Sequence, residues 1–317
     1  MLTYILFVVG FVILIKGADY LVEGASSIGK RLGLSSLFIG LTIVAFGTSA
    51  PELFVNLIAS VQGSAGIAVG NILGSNISNI LLILGISALI YPLTVKTSTV
   101  FKEIPLSLLA IVVLGLLVND HIIDGQNFNT LSRSDGLILI IFFIIFLYYT
   151  VGVMRNAEEQ EMPVQQHKNI TAWMMIIGGG IGLVFGAKWI VDGGILIASQ
   201  LGLSEALIGL TIIAIGTSLP ELATSAVAAY KQKTDIAIGN VIGSNIFNIF
   251  WVLGISSVIR PIEFSPSFNF DILTVAAVTI LLLAALFIGK RRILSRWEGC
   301  TFLILYLAYI AFLVYRG

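Results

Sequence analysis

Residues 32–49, LGLSSLFIGLTIVAFGTS, recur at 201–218 as LGLSEALIGLTIIAIGTS, and residues 70–80, GNILGSNISNI, recur at 239–249 as GNVIGSNIFNI. The offset is 169 in both stretches (201 − 32 and 239 − 70), and it still holds at Gly17/Gly186 and Pro92/Pro261. Helix bundles share small residues at their contacts, but not a register this long. The chain is therefore two copies of one unit, and any fold it takes has to be built twice.

The composition says what the unit is. Of 317 residues 57% are apolar and 11% charged, against about 25% charged in a soluble domain. The apolar residues come in blocks of about 20, enough to cross a hydrocarbon core roughly 30 Å thick. Lipid offers no partner to an unpaired backbone group, so helices are the default. A membrane barrel would alternate apolar and polar residues, and the run Leu137 to Tyr149 does not. Spans are expected near 3–25, 37–61, 66–91, 101–118 and 135–152, and again near 171–198, 205–230, 236–259, 270–289 and 297–315. The first is too long and too poor in basic residues to be a secretory signal, and it has a counterpart at 171–198. Five is an odd number, so the second copy must run through the membrane in the opposite sense. The expectation is an all-α membrane protein with ten transmembrane helices as two inverted five-helix repeats. The repeats are 1–152 and 171–317, joined by a linker at 153–170. Inverted repeats are the architecture of many secondary transporters, with substrate held near the midplane where the halves meet.

Basic residues orient the chain. Alternation puts twelve on one side (Lys30, Arg31, Lys96, Lys102, Arg155, Lys168, Lys231, Lys233, Lys290, Arg291, Arg292 and Arg296). Arg133, Arg260 and Arg316 lie on the other. The positive-inside rule makes the richer side cytoplasmic, so a multi-pass protein of the cell membrane with both termini extracellular is expected. The net charge of zero gives no reason to expect nucleic acid. The single Cys300 excludes an internal disulfide or a Cys-rich metal cluster. His121 and His167 fall in polar connections, so imidazole is not available to a site inside the membrane.

Two acids sit where charge is costly. Glu52 in AFGTSAPELFV and Glu221 in AIGTSLPELAT lie mid-span at equivalent places. A charge at the bilayer centre costs about 2.5–3.5 kcal/mol on insertion scales and marks a functional site by default. One such Glu could be a protonated acid bonding between helices; a matched pair in one motif is hard to explain so. Pro51 has no N–H, which leaves the Gly47 carbonyl without its helical partner. The span is expected to break there and free carbonyls toward a cavity. Thr48 lies one turn before Glu52 on the same face, and Gly216, Thr217 and Pro220 repeat the pattern. Asn71, Ser75 and Asn79, spaced by four, form a polar stripe whose twin is Asn240, Ser244 and Asn248. Part of it, especially Asn71, Asn76, Asn240 and Asn245, also reads as packing between helices. The donors are all oxygen, which favours Na⁺, Ca²⁺, Mg²⁺ or Mn²⁺ over softer metals. Mg²⁺ gives up its water reluctantly, so repeated stripping and rehydration favours Ca²⁺ and Na⁺ as transported ions.

GTSAPE at 47–52 with GNILGSNISN at 70–79, and GTSLPE at 216–221 with GNVIGSNIFN at 239–248, resemble the two α-repeats of the cation/Ca²⁺ exchanger superfamily. Within it the whole chain resembles the prokaryotic Na⁺/Ca²⁺ exchangers. The resemblance implies electrogenic antiport of Na⁺ inward against Ca²⁺ outward, with Glu52 and Glu221 shared by both ions. It implies that the Thr48 and Thr217 carbonyls complete the Ca²⁺ site. Flanking Na⁺ sites would use Ser49, Ser75 and the Ala45 carbonyl on one side, and Ser218, Ser244, Thr217 and the Ala214 carbonyl on the other. Asn79 and Asn248 would line the middle, where some relatives carry Asp at one of the two positions. The first and sixth spans resemble that family's gating helices, and helix spacing lets Lys16 pair with Asp19 and Lys188 with Asp192. The chain is expected to work as a monomer in the bilayer.

Rival readings are a Ca²⁺/H⁺ or other cation/H⁺ antiporter on the same scaffold, a K⁺-dependent Na⁺/Ca²⁺ exchanger, and a passive cation channel. An intramembrane hydrolase is the rival from another class. It would need a nucleophile–base pair or a His-bound metal, and no His lies within a span.

Overall fold

The apolar blocks become helices wherever the chain is described, which in the computed structural model is residues 2–123, 125–155, 166–200, 214–288 and 291–316. In chain order they are α1 (Leu2–Leu32), α2 (Ser36–Thr48), α3 (Ala50–Gln62), α4 (Ala65–Ile90), α5 (Thr99–Leu117) and α6 (Arg133–Arg155). The second half supplies α7 (Asn169–Gln200), α8 (Ala214–Thr217), α9 (Leu219–Tyr230), α10 (Thr234–Ile259), α11 (Asn269–Ile288) and α12 (Arg296–Arg316). Among the described residues eight helices are long and apolar enough to cross a membrane, and α2 with α3, bent by 46°, makes a ninth. The expected span 205–230 falls partly on 201–213, outside the described residues; its remainder is α8 and α9. The chain is a multi-pass helical membrane protein.

Most spans begin and end within a few residues of the apolar blocks. The largest difference is at α1, which continues past residue 25 to Leu32 and carries Lys30 and Arg31 in its last turn. Cations there complement the partial negative charge of a helix C-terminus.

Burial sorts the helices. In α4 and α10 78% of the apolar stretch is buried, against 28% in α6 and α7. The two central helices are therefore those that carry the Asn/Ser stripes. The outer ones turn residues such as Ile5, Ile141 and Tyr148 outward, as lipid contact requires.

The halves touch backbone to backbone. A Cβ built on Gly243 of α10 would lie 2.6 Å from the Leu41 carbonyl oxygen, and one on Gly40 would lie 2.9 Å from that of Ile236. The pair α1 and α7 shows the same contact. A Cβ on Gly17 would meet the Gly179 carbonyl oxygen at 2.8 Å, and one on Gly186 would meet the Leu14 nitrogen at 2.7 Å. With no hydrophobic drive between helices in lipid, this close approach is the main source of attraction.

Two short ladders tie one half to the other. β1 (Leu93–Thr94) pairs with β4 (Ile293–Leu294), and β2 (Thr130–Leu131) with β3 (Ile262–Glu263), both antiparallel.

A charged cluster closes the lysine-rich end. Lys231, in the turn between α9 and α10, reaches Asp19 at 2.6 Å and Glu23 at 3.2 Å on α1. Burial lowers the Lys231 ammonium, and the two carboxylates outweigh it for a net rise. His167 bonds Glu23 at 2.7 Å, and Lys233 donates to Ser26 at 2.9 Å. The expected Lys188–Asp192 pair is present at 2.8 Å. The expected Lys16–Asp19 pair is not: Asp19 turns to Lys231, because the α9–α10 turn brings an ammonium within reach of two α1 acids one turn apart.

Candidate functional site

The break in the second span falls at Ser49, whose φ of −83° and ψ of 8° interrupt the helix between Thr48 and Ala50. Ser218, with φ −85° and ψ 1°, precedes α9 in the same way. Pro51 and Pro220 then fall at the start of a new helix, where a missing N–H costs nothing. The acids Glu52 and Glu221 fall in the first turn of α3 and α9, where the helix dipole favours negative charge. This explains why the motif pairs Pro with Glu.

Both carboxylates are buried, Glu52 at 0% and Glu221 at 1% exposure. Serines join them across the halves. Ser75 donates to Glu52 Oε1 at 2.9 Å and lies 2.8 Å from Ser218 Oγ. Ser49 donates to Glu221 Oε1 at 2.8 Å and lies 2.9 Å from Ser244 Oγ. A hydroxyl has one proton to give, so Ser218 donates to Ser75 and Ser244 donates to Ser49. Serines of both halves thus surround the two carboxylates, Ser49 lying three residues from Glu52 while it bonds Glu221, and the two acids share one site.

The threonines also cross. Thr48 Oγ1 lies 3.0 Å from Asn240 Oδ1, and Thr217 Oγ1 lies 3.2 Å from Asn71 Oδ1. The two asparagines are braced within their own halves, Asn71 donating to Asn56 at 2.9 Å and Asn240 to Ser225 at 2.9 Å. The Ala45 carbonyl accepts the Ser49 N–H at 3.0 Å and lies 3.2 Å from the Thr48 hydroxyl oxygen. Ala214 begins α8.

Asn79 and Asn248 each open a π-helical turn, Asn79–Ile83 and Asn248–Leu253. Such turns recur at functional sites, and no local residue pattern announced these. Asn79 donates to Asn245 Oδ1 at 2.8 Å and Asn248 to Asn76 Oδ1 at 3.1 Å. The part of Asn76 and Asn245 in the site is what sequence reasoning missed, since their spacing reads as packing.

When these bonds are assigned, four buried oxygens of the site are left without a partner: Glu52 Oε2, Glu221 Oε2, Asn79 Oδ1 and Asn248 Oδ1. All are acceptors once the acids are ionised. Two buried charges surrounded by acceptors are strongly unfavourable unless positive charge joins them. Among the described residues no three His, Cys, Asp or Glu side chains gather to hold a metal. A cation bound among these groups would thus meet two carboxylates and otherwise neutral oxygens, the donor set of a hard ion.

Comparison with known proteins follows the same line. The profile of the family described as sodium/calcium exchanger protein matches residues 2–152 and 171–315. The chain is 41% identical over 314 residues to the putative antiporter CaxA of Alkalimonas amylolytica, covering 95% of each. It is 31% identical over 349 residues to the sodium/calcium exchanger MaX1 of Methanosarcina acetivorans, covering 98% of each. A structure of the sodium-calcium exchanger NCX_Mj, soaked with zero Na⁺ and Ca²⁺, superposes with a TM-score of 0.84 at 34% identity, covering 98% of each chain.

Proposed function

Because this chain belongs to the sodium/calcium exchanger family, whose members are secondary transporters and not enzymes, we propose that it is a Na⁺/Ca²⁺ antiporter working by alternating access. The observation that carries the reading is the quartet of unpartnered buried oxygens on Glu52, Glu221, Asn79 and Asn248. In this reading Ca²⁺ sits between the two carboxylates, with the carbonyls of Thr48 and Thr217 completing its shell. Na⁺ ions use the same carboxylates at two places marked by the serine pairs, Ser49 with Ser244 and Ser75 with Ser218. This replaces the expected grouping of Ser49 with Ser75 and of Ser218 with Ser244; the Ala45 and Ala214 carbonyls and Thr217 belong to the same set.

The mirrored bonds support an architecture of ten spans in two inverted repeats, 1–152 and 171–317, about a linker at 153–170. Thr48–Asn240 answers Thr217–Asn71, and Ser49–Ser244 answers Ser218–Ser75. Both termini lie outside in this scheme, and the monomer is the transporting unit. Exchange of one Ca²⁺ for three Na⁺ moves one positive charge inward per cycle. One charge through 100 mV is worth roughly 2.3 kcal/mol, about a fiftyfold bias in the equilibrium ion ratio.

The test is Ca²⁺ flux in proteoliposomes driven in turn by Na⁺, pH and K⁺ gradients, with and without an imposed potential. Na⁺-driven flux whose reversal point shifts with potential is expected. Flux driven by a pH gradient alone would make the protein a Ca²⁺/H⁺ antiporter, with both free carboxylate oxygens taking protons. A requirement for K⁺ would make it a K⁺-dependent exchanger. A reversal point indifferent to potential would overturn the three-for-one ratio.

A further inference from the structure

Four asparagines, two from each half, form a closed circuit between α4 and α10. Asn76 donates its Nδ2–H to the backbone carbonyl of Asn245 at 3.3 Å, and Asn245 donates to that of Asn76 at 3.4 Å. A carbonyl oxygen only accepts. Each of these two side chains therefore has its nitrogen turned to the facing backbone and its oxygen turned away. That oxygen also only accepts, so the group that meets it must be a nitrogen. Asn248 meets Asn76 Oδ1, and Asn79 meets Asn245 Oδ1. These bonds turn the nitrogens of Asn79 and Asn248 toward the facing asparagines and leave their oxygens on the other side, and in both the oxygen is buried and unpartnered.

The two backbone carbonyls thus set the polarity of all four amides. An unconstrained Asn can turn either face to a cavity, and a cation facing its N–H would be repelled. A network built only for packing would use up its acceptors; this one leaves two oxygens over, each one turn beyond a serine that lies 2.9 Å or less from a site oxygen.

We propose that Asn76 and Asn245 are positioning residues that hold the Asn248 and Asn79 amides with oxygen toward the transported cation. Each half orients the ligand of the other. The inference rests on the transport reading above, but concerns residues that reading leaves to packing.

Calcium binding to the purified full-length chain, measured by calorimetry, tests it. Loss of a group that orients a metal ligand lowers metal affinity about 10- to 100-fold, and that loss is expected for Asn76→Ala. In an Asn248→Ala background, where no amide remains to be oriented, Asn76→Ala should change affinity less than about twofold. In an Asn79→Ala background it should keep its full effect. Asn245→Ala should show the mirrored pattern, silent with Asn79→Ala and active with Asn248→Ala. A purely structural role would give the same loss in every background and would overturn the proposal, as would an unchanged affinity for Asn76→Ala. Should that variant not fold, Asn76→Asp keeps the accepting oxygen and is expected to bind Ca²⁺ no more than about twofold more weakly than the unaltered chain; a tenfold loss would overturn the proposal. If the unaltered protein binds no Ca²⁺, the transport reading itself falls. If it binds normally and only the coupling is missing, the positioning alone falls.

Discussion

Replacing Glu52 by Gln tests whether the buried carboxylates act as charges or as shapes. The side chain keeps its size and its bond from Ser75 at 2.9 Å, so the helix break and packing should survive. What changes is one unit of charge beside the cation. At about 4 Å and an effective dielectric near 20, a carboxylate attracts a monovalent cation by roughly 4 kcal/mol and a divalent one by roughly 8. Most of this is offset by ion desolvation and by water that enters the variant site. If a quarter remains, Na⁺ loses about 1 kcal/mol and Ca²⁺ about 2, or about fivefold and thirtyfold in affinity. The absolute values depend on the dielectric, but the ratio does not, because Coulomb energy scales with the charge of the ion. The fold-loss for Ca²⁺ should therefore be about the square of that for one Na⁺. Glu221→Gln, with its bond from Ser49 at 2.8 Å, should do the same. Calorimetric titration of both ions into each variant reads the ratio, and Ca²⁺ flux in proteoliposomes should be lost. Equal losses for the two ions would refute the electrostatic account, and near-normal flux in either variant would refute the assignment of the site.

Calcium affinity should fall steadily as Na⁺ is raised in a Ca²⁺ titration, because both ions need the same two carboxylates; an affinity indifferent to Na⁺ would separate the sites. Lys233 provides a pH test. Burial first and the Lys231 charge second press its ammonium down to about 8 from an ordinary 10.5. The folded value lies below the unfolded one, so the unfolded chain binds more protons between them and stability rises from pH 8 toward 10. That rise is about 3 kcal/mol at most, and thermal unfolding of Lys233→Gln beside the unaltered chain should show it missing; parallel pH curves would contradict this. Gly186→Ala should destabilise the α1–α7 contact by about 1–3 kcal/mol, while Gly180→Ala, with nothing within 4 Å of the new atom, should not, by the same unfolding assay.

Much of this was legible in the residues for reasons that are local. Pro51 lacks an N–H, so a break before Glu52 is a property of the peptide itself, and it appears at Ser49 as a 46° bend. The spacing by four of Asn71, Ser75 and Asn79 places them on one face of α4 whatever surrounds them. Features that depend on another segment were not legible. Asp19 has Lys16 within helical reach, yet pairs with Lys231, 212 positions away (231 − 19). The two-residue ladders at Leu93 and Thr130 have no sequence signal, because two residues show no alternation. Asn76 and Asn245 look like packing residues because their role lies in which end of each amide faces the backbone, and a sequence does not record that.

The seam between α1 and α7 is made of missing atoms. Where Gly17 faces Gly179 and Gly186 faces Leu14, main chain occupies the volume a Cβ would need, and main chain has no rotamer to escape into. This divides the protein by how it can diverge. Positions such as Ile5, Ile141 and Tyr148 answer only to the oil around them and can drift among many residues. The seam glycines answer to a separation below 3 Å and have no neutral neighbour in the genetic code. A lineage of such chains would rewrite its outer surface while this line stood still, held by a constraint that involves no ligand and no charge.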